Sequence, residues 1–235
     1  VAGLTGVYMA DLTGVAGAPA AGADVGLRFR YNPEFRSAIA LVPGVIMLML
    51  MLIPAMMTAV AVVREKETGS IANFRSTPVT ALEFLVGKQL PYVGIAFASF
   101  LFLLAEGAAL FGVTVTGSLP TLAAGALLFV TASTAFGVLI SSFTRTQLAA
   151  IFATPVIAMA PSLNFSGMLT PVASLSTGER LFGLLFPPAW FQQISVGTVN
   201  KGLGLAELWP SHLALLAFAL AYIAAARLAL PKQER

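Results

Sequence analysis

Arg64-Glu65-Lys66-Glu67-Thr68-Gly69-Ser70 sets alternating charges side by side in a chain that is 58% hydrophobic and only 10% charged. The polar run continues through Arg75, Ser76-Thr77-Pro78, Glu83 and Gly87-Lys88 before apolar sequence resumes. Carboxylates interleaved with basic groups do the chemistry of ion pairing and docking. A loop that only set membrane orientation would need no acids, because acidic residues contribute little to that bias. Mixed signs beside an apolar pair, Ile71 and Phe74, suit a protein partner better than lipid headgroups. A solvated loop that obeys the basic bias is the plainer alternative. No catalytic residue is identified. The chain has no cysteine, which excludes disulfides, thiol catalysis and cysteine metal sites. Its one histidine, His212, leaves no multi-histidine metal site and reads as a satisfied polar residue. There is no Gly-x-x-x-x-Gly-Lys-Ser/Thr phosphate loop, so ATP hydrolysis is not expected of this chain alone.

A few other residues are candidates for a pathway. Glu106 lies inside an apolar segment, where a carboxylate costs several kcal/mol unless paired or hydrated, so it reads either as a substrate or cation contact or as a wet group near an interface. Asn164 and Ser166 sit on a proline-interrupted stretch, 155–171, and read as part of an outer gate or as the cap of a kinked helix. Met47, Met49, Met51, Met56 and Met57 flank Pro54. Methionine adapts to differently shaped apolar partners, which makes Met56 a pathway candidate, while lipid-facing filler is the competing reading.

The elements that must hold these groups are helices. With a mean hydropathy of +0.89, and far fewer charges than the roughly 25% of a soluble domain, the chain is an integral membrane protein. All-apolar spans of about 20 residues imply an all-α polytopic fold, since in lipid each helix satisfies its own backbone. A barrel would alternate apolar and polar residues in segments of about 10, and no such alternation runs through the chain. Five spans are expected, at 39–63, 90–111, 119–143, 148–163 and 208–230. The fourth is short and holds Pro155 and Pro161, so it is not expected to cross as one plain helix. Residues 163–202, with Pro171, Pro187 and Pro188, read as a re-entrant or interfacial hairpin. Within the charged loop, Thr68 or Ser70 can cap a short helix carrying Ile71 and Phe74. Thr77-Pro78 fits a cap followed by proline at the first helical position. Thr80-Ala81-Leu82-Glu83 matches a capping box that opens a second, interfacial helix leading into the span at Leu90. Ser133-Gly137-Ser141 and Ala217-Ala221-Ala225 form small-residue stripes for close helix packing within the subunit, with a dimer seam as the weaker alternative.

Alternate loops collect Arg64, Lys66, Arg75, Lys88, Arg145, Arg227, Lys232 and Arg235 on one side. The other side receives Arg28, Arg30, Arg36, Arg180 and Lys201. The basic excess marks the first side as cytoplasmic, with the N-terminus outside and the C-terminus inside. The net charge of +3 reflects this bias, and nucleic-acid binding is not expected. An N-terminal tail placed outside implies a preceding segment that translocated it, so residues 1–38 read as the end of an extracytoplasmic segment and 39–235 as a transmembrane domain.

Arg64 to Ile71, then Ser76-Thr77-Pro78-Val79, Glu83 and Gly87-Lys88-Gln89-Leu90-Pro91-Tyr92, resemble the permease subunit of type-2 ABC exporters. The approach Tyr31-Asn32-Pro33-Glu34 to Val42-Pro43-Gly44 is also similar, as are Ser166-Gly167-Met168-Leu169-Thr170-Pro171 and Phe186-Pro187-Pro188. One departure is Asn73, where many relatives carry an acidic residue or a longer amide. The resemblance implies a six-span permease of a bacterial inner membrane, of the multidrug-efflux kind, moving hydrophobic small molecules or drugs outward. It makes 64–88 the coupling loop to a separate nucleotide-binding subunit, with Arg64, Glu65, Lys66, Glu67, Gly69, Ile71 and Phe74 as coupling residues. ATP and Mg would be held by that partner and no cofactor by this chain. A second permease subunit, identical or related, would complete the pathway. From the residues alone, a membrane scaffold that recruits a soluble partner without transport stands as the alternative.

Overall fold

Seven α-helices and one 3-10 turn account for most of residues 37–69, 80–170 and 172–229, which are the residues described by the computed structural model. All of them belong to one compact unit, and no strand occurs among them. The long helices are α1 (Ser37–Glu67), α2 (Ala81–Phe111), α3 (Leu119–Phe143), α4 (Gln147–Asn164) and α7 (Leu205–Ala229). All five contain a stretch long and apolar enough to cross a membrane. Between α4 and α7 come the 3-10 turn Val172–Ser174 and two shorter helices, α5 (Thr177–Leu184) and α6 (Pro187–Asn200).

Local signals start and stop these helices. Thr80 and Glu83 form the expected capping box, with Thr80 N donating to Glu83 Oε2 at 2.8 Å and Glu83 N donating to Thr80 Oγ1 at 3.3 Å. Ser118 and Thr146 cap α3 and α4 through their hydroxyls. Pro187 and Pro188 open α6, where a missing N–H costs nothing.

α3 is the most enclosed span, with 67% of its apolar window buried, whereas α2 is peripheral at 17%. α1 packs on α2, α3, α4 and α6, and α7 packs on α3 and α6. The closest approach is at Gly137 of α3, where a Cβ would stand only 2.1 Å from the Ala55 carbonyl oxygen of α1. Ser133, one turn earlier, donates to Met51 Sδ at 3.2 Å. The stripe Ser133-Gly137-Ser141 therefore packs within the subunit as expected. Ala217, Ala221 and Ala225 do not, for all three are exposed and α7 buries Leu215, Ala219 and Ala226 instead.

Three boundaries differ from expectation. Arg64 to Glu67 are the last turn of α1 rather than part of a loop. The interfacial helix opened by Thr80 is the start of α2 itself, which runs unbroken into the span and reaches about 46 Å in 31 residues. α4 is one continuous helix through both prolines. Each proline removes one intrahelical bond, but Ala150, Thr154, Ala158, Pro161 and Ser162 form a buried stripe that holds the helix in place. Its 18 residues span about 27 Å, close to the roughly 30 Å of a bilayer core.

Residues 163–202 divide into an exposed α5 and a buried α6. Phe191 of α6 stacks on Phe129 of α3 at 4.4 Å, and Ile194, Ser195 and Thr198 are buried beside it. Trp190 Nε1 donates to Leu184 O at 2.9 Å and ties the two short helices together. α6 is thus a regular helix buried within the protein.

Candidate functional site: the charged end of the helices

The last turn of α1 carries Arg64 and Lys66, cations suited to the negative end of a helix dipole. Gly69, at φ 72°, then ends the helix in the left-handed region that glycine enters without penalty. The Thr68 hydroxyl turns back to donate to the Arg64 carbonyl at 3.0 Å.

Three charged side chains of this turn reach three different helices. Glu65 pairs with Lys88 of α2 at 2.6 Å, both side chains being only partly exposed. The Lys88 ammonium also stands 5.9 Å from the centre of the Phe84 ring. Lys66 Nζ donates to the Ser141 carbonyl, 2.6 Å away, near the C-terminus of α3. Glu67 Oε1 accepts the backbone N–H of Gln147, at the start of α4, at 2.8 Å, and its Oε2 accepts the Gln147 side-chain amide. One turn therefore ties the ends of four helices together.

Beneath the charges lie two apolar layers. Val62, Leu85, Val138 and Ala226, one residue each from α1, α2, α3 and α7, are wholly buried together. Ala59, Val63 and Ala150 join α1 to α4. The charged turn stands on a packed base, so a push on it is not absorbed by loose chain.

Of the coupling residues expected from sequence, Arg64, Glu67 and Gly69 are exposed, while Glu65 and Lys66 are half-buried. Ile71 and Phe74, with Ser70 and the Thr77-Pro78 step, lie outside the described residues. Sequence reasoning missed Gln147 and the Ser141 carbonyl. The capping residue Thr146 marks where α4 starts, but nothing in the sequence aims Glu67 at it.

The pathway candidates are not brought together. Glu106 is half-buried on α2 and has no hydrogen-bond or ion-pair partner among the described residues. Asn164 is exposed and donates to the Ala160 carbonyl at 3.2 Å. Ser166 is buried, donates to the Ser162 carbonyl and accepts from Met168 N at 3.3 Å. Both residues satisfy the end of α4 locally. Met56 is half-buried, Met47 and Met51 are fully buried, and Met49 and Met57 are exposed, so lipid-facing filler describes only part of the methionine run. His212 is a satisfied polar group, with Nδ1 2.8 Å from Leu208 O and Nε2 3.0 Å from Thr121 O. An apolar groove of about 600 Å³ lies between the end of α4 and α5, with Ile157, Pro161, Phe165 and Phe182 in its wall.

Residues 11–228 match the family described as ABC-2 family transporter protein. The chain belongs to the ABC-2 family. Among curated relatives, this ABC-2 domain is similar to the probable multidrug ABC transporter permease YbhS of Escherichia coli K12, at 30% identity over 168 residues, 72% of this chain and 45% of the relative. It is also similar to the inner membrane transport permease YhhJ of the same organism, at 26% over 211 residues, 86% of this chain and 54% of the relative. The probable multidrug ABC transporter permease YbhR matches at 26% over 186 residues, 79% and 50% respectively. The chain spans about half the length of the curated relatives it matches. No solved structure matches it. An ABC-2 permease domain is a multi-pass membrane domain, and the five apolar helices accord with that.

Proposed function

We propose that this chain is the membrane-spanning part of an ATP-driven exporter, coupled through residues 64–88 to a separate nucleotide-binding subunit. The observation that carries the reading is the construction of the charged end in a member of the ABC-2 family. A single turn of α1 reaches α2, α3 and α4, and the chain leaves it at Gly69 and returns at Thr80. Force applied to the segment between those points would reach the bundle at that turn and at the start of α2. The basic bias supports a cytoplasmic side for this end, and membership of the ABC-2 family supports a bacterial inner membrane, with ATP and Mg on the partner.

Hydrophobic small molecules or drugs are the cargo class we infer, supported by the multidrug description of YbhS and YbhR. α1 supplies a wall of matching chemistry. Although it packs on four other helices, Leu41, Val45, Met49, Ile53 and Met57 remain exposed along it at a spacing of four, an apolar stripe that a second permease subunit would complete.

Affinity purification of the full-length permease from its native host tests this. The expected result is an accompanying ATPase chain whose hydrolysis needs Mg, lost when residues 70–79 are replaced by a Gly/Ser linker. A permease that retains no ATPase, with its fold intact, would overturn the reading and favour a scaffold.

A further inference from the structure

Glu67 is exposed, yet its carboxylate is fully engaged within the chain. Both oxygens accept from Gln147, one from the backbone N–H at 2.8 Å and the other from the side-chain amide. That backbone N–H belongs to the first residue of α4 and is one of the donors every helix leaves unsatisfied at its start. Thr146 satisfies another, its hydroxyl accepting from Ala149 N at 3.2 Å. The anion therefore stands at the positive end of the α4 dipole.

α4 depends on α1 for its support. It packs mainly against α1 and only sparsely against α3, α5 and α6. At this end Ala59 and Val63 of α1 are fully buried against Ala150 of α4. The connection from α3 is only Thr144, Arg145 and Thr146. The bonds from Glu67 to Gln147 add a polar tie at the helix start to that apolar contact.

We propose that Glu67 is a positioning residue that fastens α4 to α1, so that both helices move as one body when the 64–88 region is displaced. This rests on that region receiving an ATPase, but it gives Glu67 a different task from touching the partner. The far end of α4 carries Pro161, and Phe165 follows it, both in the wall of the apolar groove. Movement entering at Glu67 is thereby delivered to the opposite end of the molecule.

The sequence contains no cysteine, so thiols can be introduced without background. Full-length permease with its ATPase, in proteoliposomes, would be compared as wild type, Glu67→Ala, Glu67→Gln and the pair Glu67→Cys/Gln147→Cys. The readouts are retention of the ATPase and transport per ATP hydrolysed. Glu67→Ala is expected to keep its ATPase subunit while transport per ATP falls several-fold. Glu67→Gln should fall less, since its one carbonyl oxygen can still accept one of the two donors. Joining the cysteine pair with a short bis-methanethiosulfonate crosslinker, which forms a disulfide with each thiol and releases methanesulfinate, should restore transport per ATP relative to the same protein uncrosslinked. Because both arms use one folded variant, a folding defect cannot imitate the rescue. Loss of the ATPase subunit from Glu67→Ala would overturn the proposal and make Glu67 a partner contact. A crosslinked pair no better than the free thiols would overturn it as well. Failure of the underlying reading shows separately, as wild-type permease that holds no ATPase, and it would remove this proposal with it.

Discussion

At the scale of single residues, the charged turn of α1 shows how little ion pairs need to stabilise in order to matter. Glu65 and Lys88 meet at 2.6 Å with both side chains partly exposed, a setting in which such pairs contribute about 0.2–1 kcal/mol. A double-mutant cycle of Glu65→Ala and Lys88→Ala, followed by unfolding in detergent, should return a coupling in that range. The value of the pair is geometric, since it ties the second turn of α2 to the last turn of α1. Glu179 offers a pH-dependent counterpart at the start of α5. The Ser176 backbone amide, and after it the Ser176 hydroxyl, hold its carboxyl below the usual glutamate range. A lowered pKa means that the carboxylate's contribution is fully present above the unfolded value and is lost as pH falls through the folded one. Hydrogen-exchange protection of α5 should therefore drop on acidification below the ordinary glutamate range. In Glu179→Gln, whose amide oxygen can still accept the Ser176 N–H, it should be somewhat lower at neutral pH and lose that acid step.

At the scale of elements, the contact of α1 with α3 is set by one missing side chain. A Cβ at Gly137 would fall 2.1 Å from the Ala55 carbonyl oxygen, and backbone cannot yield as a flexible side chain does. Gly137→Ala should destabilise by about 1–3 kcal/mol, the cost of overpacking. Gly87→Ala on α2, where a Cβ meets nothing within 4 Å, should instead stabilise by roughly 0.5–1 kcal/mol through helix propensity. Thermal melts of the two variants in one detergent check both signs. This contact was legible in advance, because Ser133-Gly137-Ser141 repeats at helical spacing. Ala217-Ala221-Ala225 repeats just as regularly and faces outward, so spacing identifies a smooth face but not what covers it. The spans and the Thr80–Glu83 box were legible for the same reason, being written in neighbouring residues. The unbroken course of α4 was not, because tertiary burial of Ala150, Thr154 and Ala158 outweighs the local effect of two prolines. Nor was the reach of Glu67 to Gln147, a contact between residues 80 positions apart.

At the scale of the whole molecule, the five spans divide into a packed centre, α1 and α3, and helices that leave broad apolar faces outward, above all α2. Charge gathers at one end, where α1 is tied to α2, α3 and α4, while an apolar groove opens beside the far end of α4. Such an arrangement suits a machine driven from one end and opening at the other. Its central claim is that an ATPase seats on the segment between Gly69 and Thr80. Crosslinking from single cysteines placed in the otherwise cysteine-free full-length permease tests this most directly. Cysteines at Ile71 and Phe74 would be compared with one at Phe102, which is 65% exposed on the apolar face of α2. The account predicts adducts between the permease and an ATP-hydrolysing chain from positions 71 and 74, and none from position 102. An intact complex that gives no adduct at 71 or 74, or one that gives equal adducts at 102, would contradict it.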